Sequence, residues 1–245
     1  MIKLFNGDCL DVMKDIEDRS IDLIVCDLPY GVTQAKHDCK IPLDELWKEY
    51  DRILKENGVA LLFGQGMFMA ELMLSSPKWK YNLVWNKVLS SGFLNAKIQP
   101  LRQHEDICVF YDKKPTYNPQ FHKGKPNHTR GKKKPITNNN YGEMGFKEVN
   151  KDGMKYPTDI LTFRKPHPSV SKHPTEKPVE LLEYLIKTYS NEGDLVLDNC
   201  MGAGSTLEAC LKTDRNGIGI EKEKKFYDIA KERIDNYTEQ ISIWK

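Results

Sequence analysis

Leu195-Val196-Leu197-Asp198-Asn199-Cys200-Met201-Gly202-Ala203-Gly204-Ser205-Thr206 is the stretch on which the fold reading turns. A short apolar run ends on an acid, a glycine loop follows, and a helix is expected from Ser205 to about Thr213. Downstream, Asn216-Gly217-Ile218-Gly219-Ile220-Glu221 repeats the pattern of a strand ending on an acid, and Glu223 to Tyr237 reads as the last helix. Upstream, Pro178 to Tyr189 is amphipathic. Strands alternating with helices predict an α/β fold, a mostly parallel sheet with helices on both faces.

The glycine loop narrows the ligand. It is neither GxGxxG nor GxxxxGK[ST], which argues against a dinucleotide pyrophosphate and against an ATP phosphate loop. Glycines between strand and helix let the backbone approach a ligand closely. Glu221 ends the next strand, where doubly wound sheets place a carboxylate on ribose hydroxyls. An acid ahead of GxG suits a ligand with an ammonium group and a ribose but no phosphates, such as S-adenosylmethionine. A glycine turn that only packs its helix has the same residue pattern.

Toward the N-terminus, Ser20 to Asp27 reads as a buried strand ending on an acid, then Leu28-Pro29-Tyr30-Gly31 as a turn. An acid, a stiffened turn and an aromatic at the carboxyl edge of a parallel sheet form a small planar pocket; an ordinary Asp-Pro turn has the same letters. Pro42 to Glu56 looks helical and Asn57-Gly58 is expected to end it. Val59 to Phe63, Tyr81 to Lys87 and Asp106 to Tyr111 look like strands, with a helix over 67–76.

Composition sets the outer limits. The 245 residues are 29% charged and 39% hydrophobic, enough for a large core without staples. Apolar runs stay far below the roughly 20 residues of a membrane span, and Asp8 sits where a signal peptide needs apolar residues. A cytoplasmic protein with no membrane association is expected. Six dispersed cysteines form no CxxC pair, so reduced, mostly buried thiols and no metal site are expected. The net charge of +2 hides an asymmetry: Lys113 to Lys155 holds eleven Lys and Arg against three acids, a net of +8, leaving −6 elsewhere. Lys123, Lys125, Arg130, Lys132, Lys133 and Lys134, with Asn138 to Asn140, combine phosphate-neutralising charge with groups that can read base edges. A solvated surface loop would also carry such a run. The regular pattern lapses from Asp112 to about Pro157, which predicts a body of 1–112 and 157–245 with an inserted region of 113–156.

The order of these motifs resembles the S-adenosylmethionine-dependent DNA amino-methyltransferases of N6-adenine and N4-cytosine, in the circularly permuted β group. That family places a (D/N/S)PP(Y/F/W) turn first, a target-recognition insert next and the glycine loop last. Asn6 to Leu10, Trp85-Asn86-Lys87, His104 to Ile107 and His173 to Pro178 match further family segments. Leu28 replaces the first proline, whose carbonyl alone is used, and Asn199-Cys200 replace Pro-Phe.

The resemblance implies a Rossmann-like methyltransferase fold with a seven-stranded sheet and one antiparallel edge strand. It implies that Asp27 and the Leu28 carbonyl accept the hydrogens of the target amine, that Pro29 shapes the turn, and that Tyr30 stacks on a base flipped out of double-stranded DNA. For the cofactor it implies Asp198 and the backbone of Gly202 to Gly204 at the methionine end, with Ser205 and Thr206 also in the cofactor site. Thr175 and Lys177 belong at its carboxylate, Glu221 at the ribose and Asp8 at the adenine amine, with Cys9 also in the cofactor site. Asp at the first motif position favours N6 of adenine. N4 of cytosine, an RNA amine, and a catalytically silent nucleic-acid-binding relative are the alternatives. A homodimer and a restriction endonuclease on a separate chain are the partners such a family suggests.

Overall fold

The computed structural model describes residues 1–31, 39–125, 136–138, 142–144, 153–167, 169, 171 and 176–243. Arg130, Lys132, Lys133, Lys134 and Thr175 lie outside the described residues. The chain divides into two compact units, Met1–Asn118 with Asp159–Lys245, and Pro119–Thr158.

The larger unit runs β1 (Ile2–Asn6), α1 (Cys9–Met13), β2 (Ile21–Cys26), α2 (Leu43–Ile53), β3 (Leu54–Gly64), α3 (Met67–Ser75), β4 (Trp79–Ser91) and β5 (Arg102–Phe110). The smaller unit holds β6 (His122–Lys123) paired with β9 (Met154–Lys155), and β7 (Ile136–Asn138) paired with β8 (Gly142–Met144), both antiparallel. The chain returns to the larger unit with β10 (Ile160–Thr162), α4 (Val179–Tyr189), β11 (Leu195–Asp198), α5 (Ser205–Lys212), β12 (Asn216–Glu221) and α6 (Lys224–Ile243).

One sheet organises the larger unit, in the order β1-β12-β11-β2-β3-β5-β4-β10. It has eight strands rather than the seven expected, because the three-residue β10 adds alongside β4. The antiparallel strand is not at the edge. β5 lies between β3 and β4 and runs against both, so β4 again runs parallel to β3. The consequence matters for function: Asp8, Asp27, the end of β4, Asp198 and Glu221 all emerge at one edge of the sheet.

The two faces of the strands sort the core, since alternate side chains point opposite ways. Ile24, Cys26, Ala60 and Leu62 pack with Leu46, Trp47, Tyr50 and Ile53 of α2 and with Phe68 and Leu72 of α3. Leu23, Val25, Leu61 and Phe63 pack on the other face with Leu181, Leu182, Leu185 and Ile186 of α4. A third cluster joins Met201, Leu207, Ala230 and Ile234, with Ile2 and Leu4 of β1 against it.

Asn57-Gly58 does not cap α2. The helix ends at Ile53, Leu54 is already extended (φ −67°, ψ 137°), and β3 runs through both residues. Leu54 pairs with Ile21 while Val59 pairs with Leu23, so residues 55–58 bulge opposite Asp22. Lys55 Nζ holds both Asp22 oxygens at 2.7 and 2.8 Å. A Cβ on Gly58 would sit 2.9 Å from Leu54 Cδ2, so glycine serves a close approach within a bulge. Among the described residues no helix is long and apolar enough to cross a membrane.

Candidate active site

Asp27 follows β2 directly, and its two oxygens have different partners. The Tyr30 hydroxyl donates to Oδ1 at 2.9 Å, and Lys177 Nζ donates to Oδ2 at 2.5 Å. The same ammonium lies 3.4 Å from Glu105 Oε2, and Lys87 Nζ reaches Glu105 Oε1 at 3.1 Å. Two acids and two lysines thus alternate in one withdrawn chain across β2, β5, β4 and the approach to α4. Lys177 also lies over the Phe63 ring, 5.0 Å from its centroid.

Burial raises the Asp27 carboxyl above its ordinary range, against the pull of Lys177. Glu105 goes the other way: burial raises it, but Lys177 and Lys87 outweigh that and hold it below its usual value. Burial disfavours the Lys177 ammonium, yet the charges of Asp27 and Glu105 hold its pKa above normal. We read the group as ionised throughout, since each buried charge faces an opposite one.

Leu28 is buried in the core beneath the turn. The Tyr30 ring stacks on Phe68 with centroids 4.8 Å apart and an interplanar angle of 27°. Its hydroxyl is tied to Asp27, so one face and the polar end of Tyr30 are set by the protein.

The glycine loop lies at the end of the neighbouring strand. Asp198 Oδ1 accepts from the Cys200 N–H at 3.1 Å. Burial pushes this carboxyl up to about 7, opposed by hydrogen bonds from the Thr206 side chain, the Cys200 backbone and the Cys26 side chain. Gly202 and Gly204 are left-handed, with φ of +52° and +79°. Glu221 braces the loop: its Oε2 accepts from Gly202 N–H at 3.0 Å and its Oε1 from Glu223 N–H at 2.8 Å. Ser205 and Thr206 open α5 and are buried. Asn199, where the resemblance has proline, is buried, and its Oδ1 accepts from Tyr50 OH of α2 at 2.6 Å. Asn199 Nδ2 donates to Cys200 Sγ at 3.7 Å, and burial pushes the Cys26 thiol up to about 12.

Asp8 caps α1, accepting from Leu10 N–H at 3.0 Å. Its other oxygen pairs with Lys222 at 3.0 Å, and this hydrogen bond to Lys222 is the first reason its pKa is lowered. Gly7 N–H donates to the Glu221 carbonyl at 3.0 Å, which brings the end of β1 beside the end of β12.

The structure therefore assembles Asp8, Cys9, Asp198, Gly202, Gly204, Ser205, Thr206 and Glu221 along one edge, next to Asp27, Leu28, Pro29 and Tyr30. Lys177, which the resemblance puts at the cofactor carboxylate, takes part in the ion chain. Its ammonium is directed at Asp27 and Glu105. Without it, Asp27 would lose its cation and the two acids would share Lys87 alone. Lys123 and Lys125 are exposed in the smaller unit. Sequence reasoning missed Glu105, Lys87 and Phe68 as members of the site. The signal available for the first two was a charged residue flanking an apolar strand.

Residues 21–232 match the DNA methylase family of N6 and N4 methyltransferases. The chain belongs to that family. It is 29% identical to the Type II methyltransferase M.HpaI of Haemophilus parainfluenzae, over 96% of this chain and 74% of that one. It is 27% identical to M2.MboI of Moraxella bovis, over 96% and 88%. The structure of an M1.HpyAVI–SAM complex matches with a TM-score of 0.64 and 24% identity, over 95% of this chain and all of that one. PvuII DNA methyltransferase, which is cytosine-N4-specific, matches with a TM-score of 0.68 and 13% identity, over 98% of this chain and 92% of that one. These two likenesses speak for the fold.

As a DNA methylase the chain uses S-adenosylmethionine, and the glycine loop fits that cofactor. A Cβ on Gly204 would stand 3.0 Å from Ala230 Cβ, so the loop packs against α6 with no room for a side chain. Asp198 is a withdrawn carboxylate whose partners named above are neutral dipoles. An ammonium brought to it would restore its ionised form.

Proposed function

We propose that this methylase transfers its methyl group to the N6 amine of an adenine flipped out of double-stranded DNA, at a specific site. The carrying observation is Asp27, an acid at the carboxyl edge held between Tyr30 OH and Lys177 Nζ, beside the Asp198 loop. When bound, S-adenosylmethionine supplies an electrophilic sulfonium methyl. The target amine is a weak nucleophile because its lone pair is delocalised into the ring. Asp27 and the Leu28 carbonyl accept its two hydrogens, which orients the lone pair and offsets positive charge growing on nitrogen. Tyr30, backed by Phe68, offers an aromatic surface to the base. Lys177 keeps Asp27 ionised and fixes its rotamer.

For the cofactor, Asp198 takes the ammonium, Glu221 the ribose hydroxyls, and Asp8 the adenine amine. Gly202, Gly204, Ser205 and Thr206 shape the loop around the methionine end, with Cys9 below. Thr175 is proposed at the carboxylate on motif position alone. The unit Pro119–Thr158, with Lys123 and Lys125, is the proposed target reader, together with the basic residues from Arg130 to Lys134. The Type II names of the relatives favour a separate restriction endonuclease as partner, with the activity in the compartment that holds the DNA. A homodimer is the assembly we propose to check by solution mass.

The test is incubation with methyl-labelled S-adenosylmethionine and unmethylated genomic DNA, followed by nucleoside mass spectrometry, with Asp27→Ala alongside. N6-methyladenine that vanishes in the variant is expected, with cofactor binding retained. N4-methylcytosine would overturn the base assignment and keep the mechanism. No labelled base from protein that binds the cofactor would overturn the reading.

A further inference from the structure

The connection between β4 and β5 leaves the sheet at the edge that carries Asp27. Its root is the ion chain itself, since Lys87 ends the regular part of β4 and Glu105 lies near the start of β5. Its far end is apolar and open to water: Phe93 is 69% exposed, Ile98 82%, and Leu94 fully exposed. From Val88 to Gln103 the only charged side chains are Lys97 and Arg102, so the tip carries apolar groups on a purely cationic background.

The tip has a defined shape. Gly92 is left-handed at φ +90° and starts a 3-10 turn over Phe93–Asn95. Asn95 N–H donates to Gly92 O at 3.0 Å, and Ile98 N–H to Asn95 O at 3.0 Å. Val88 takes φ +65°, rare for a β-branched residue. Asn86 Oδ1 holds it there, accepting from Val88 N–H at 3.1 Å and Gln103 Nε2 at 3.2 Å. Arg102 Nη1 donates to Gln65 Oε1 at 2.9 Å, which ties the rising strand to the end of β3. A braced stem therefore presents bare Phe, Leu and Ile at the edge where the target base must arrive.

A base that leaves the duplex leaves a gap in the stack. Apolar side chains that enter between base steps stabilise an opened duplex. We propose that Phe93 and Leu94, flanked by Ile98, form a wedge that enters the target duplex beside the extruded base and holds it open while the base occupies the Asp27 pocket. Lys97 and Arg102 meet the adjoining phosphates. The occupant is duplex DNA, and the proposal rests on the DNA-methylation reading above.

The test uses the full chain and the double variant Phe93→Ala/Leu94→Ala, whose side chains are on the surface. Two duplexes carry the modified site mapped from the genomic DNA. One is fully paired, and in the other the target base faces an abasic position and is already unpaired. On the paired duplex kcat/KM is expected to fall about tenfold to a hundredfold, a loss the size of one unstacked step. On the abasic duplex it should stay within about threefold of the unaltered enzyme, since opening no longer limits the reaction. Unchanged activity on the paired duplex, or an equal loss on both, would overturn the wedge. An equal loss with a halved solution mass would overturn it by assigning the tip to a second copy of the chain. Methylation of neither duplex by the unaltered protein is a different failure, which would bring down the active-site reading and the wedge together.

Discussion

Asp27 and Asp198 sit at the ends of neighbouring parallel strands, β2 and β11, and both are withdrawn from water. Their surroundings differ in one respect. Asp27 has a cation supplied by the protein, Lys177 at 2.5 Å, itself shared with Glu105. Asp198 has a backbone N–H, the Thr206 side chain and the Cys26 side chain, all neutral. Burying a carboxylate without an opposite charge favours its neutral form, which is why Asp198 is pushed up to about 7. Asp27, the proposed catalytic acid, is compensated before any ligand arrives. Asp198, the proposed cofactor-binding acid, has no cation of the protein named among its partners and is left for a ligand to compensate. The contrast suits their proposed tasks: Asp27 must be an acceptor whenever a base flips in, whereas Asp198 gains its charge partner on binding.

Removing the internal cation should give the largest effect. Lys177→Met leaves Asp27 and Glu105 buried without their shared partner, and breaking a buried pair costs about 3–5 kcal/mol of stability. Urea denaturation should show that loss. Methyl transfer should fall by about a hundredfold or more, since the acceptor oxygen is no longer held in place. The pH profile separates positioning from general destabilisation. Lys177 lowers the Asp27 pKa, so without it the carboxyl rises further and the acid limb of kcat moves to higher pH. An acid limb that stays where it is in the unaltered enzyme would show that Lys177 only packs.

Asp198→Asn tests the other half of the contrast. It should weaken S-adenosylmethionine binding by about tenfold to a hundredfold, the worth of a hydrogen bond to a charged group. In the unaltered protein, affinity should rise as pH passes upward through about 7, where Asp198 ionises, and the variant should lose that rise. Stability of the free protein should show the opposite slope. The folded pKa lies above the ordinary 3.8, so the folded state binds the extra proton. That contribution is complete below pH 3.8 and is lost as pH climbs to about 7. Thermal unfolding of the Asn variant should lack this decline. A calorimetric titration with equal pH dependence in both proteins would remove Asp198 from the ammonium site.

The two regions also differ in how far the sequence discloses them. Strand, loop and strand over 195–221 are contiguous, and their function runs through backbone shape, so Leu195–Asp198 and Asn216–Glu221 have the expected bounds. The proposed catalytic centre gathers residues from 27, 87, 105 and 177, and the Asp27–Lys177 bond spans 150 positions. Periodicity cannot report such a partner. It reports that Lys87 closes one apolar strand and Glu105 precedes another, without saying that they face each other. The place of β5 inside the sheet is likewise invisible locally, since an apolar run reads alike at an edge or between two strands. Asn57-Gly58 misleads for a related reason. A glycine after a helical pattern signals a cap, but the ladder with Ile21 and the Lys55–Asp22 pair pull Leu54 into the sheet first. Tertiary pairing overrides the local signal.

Gly204→Ala should give the smallest effect, and its sign follows from opposing contributions. Alanine restricts the unfolded chain, which by itself stabilises by about 0.4–1 kcal/mol. Gly204 has φ +79°, a conformation that costs an L-residue about 1–2 kcal/mol. The new Cβ would also stand 3.0 Å from Ala230 Cβ and 3.2 Å from its Cα. Neither atom is the end of a flexible side chain, so relief requires α6 to move. That helix is not free to drift, because Arg233 Nη1 donates to Ala203 O at 2.8 Å and its guanidinium also pairs with Glu176 and Glu208. The costs exceed the gain, and a net loss of about 1 kcal/mol is expected in urea denaturation. Cofactor affinity should fall by a few-fold while the Asp27 turn, built on separate residues, keeps its acid limb. A variant that shifts the acid limb as well would mean that the loop and the catalytic turn move as one body, and that the two aspartates are not independent.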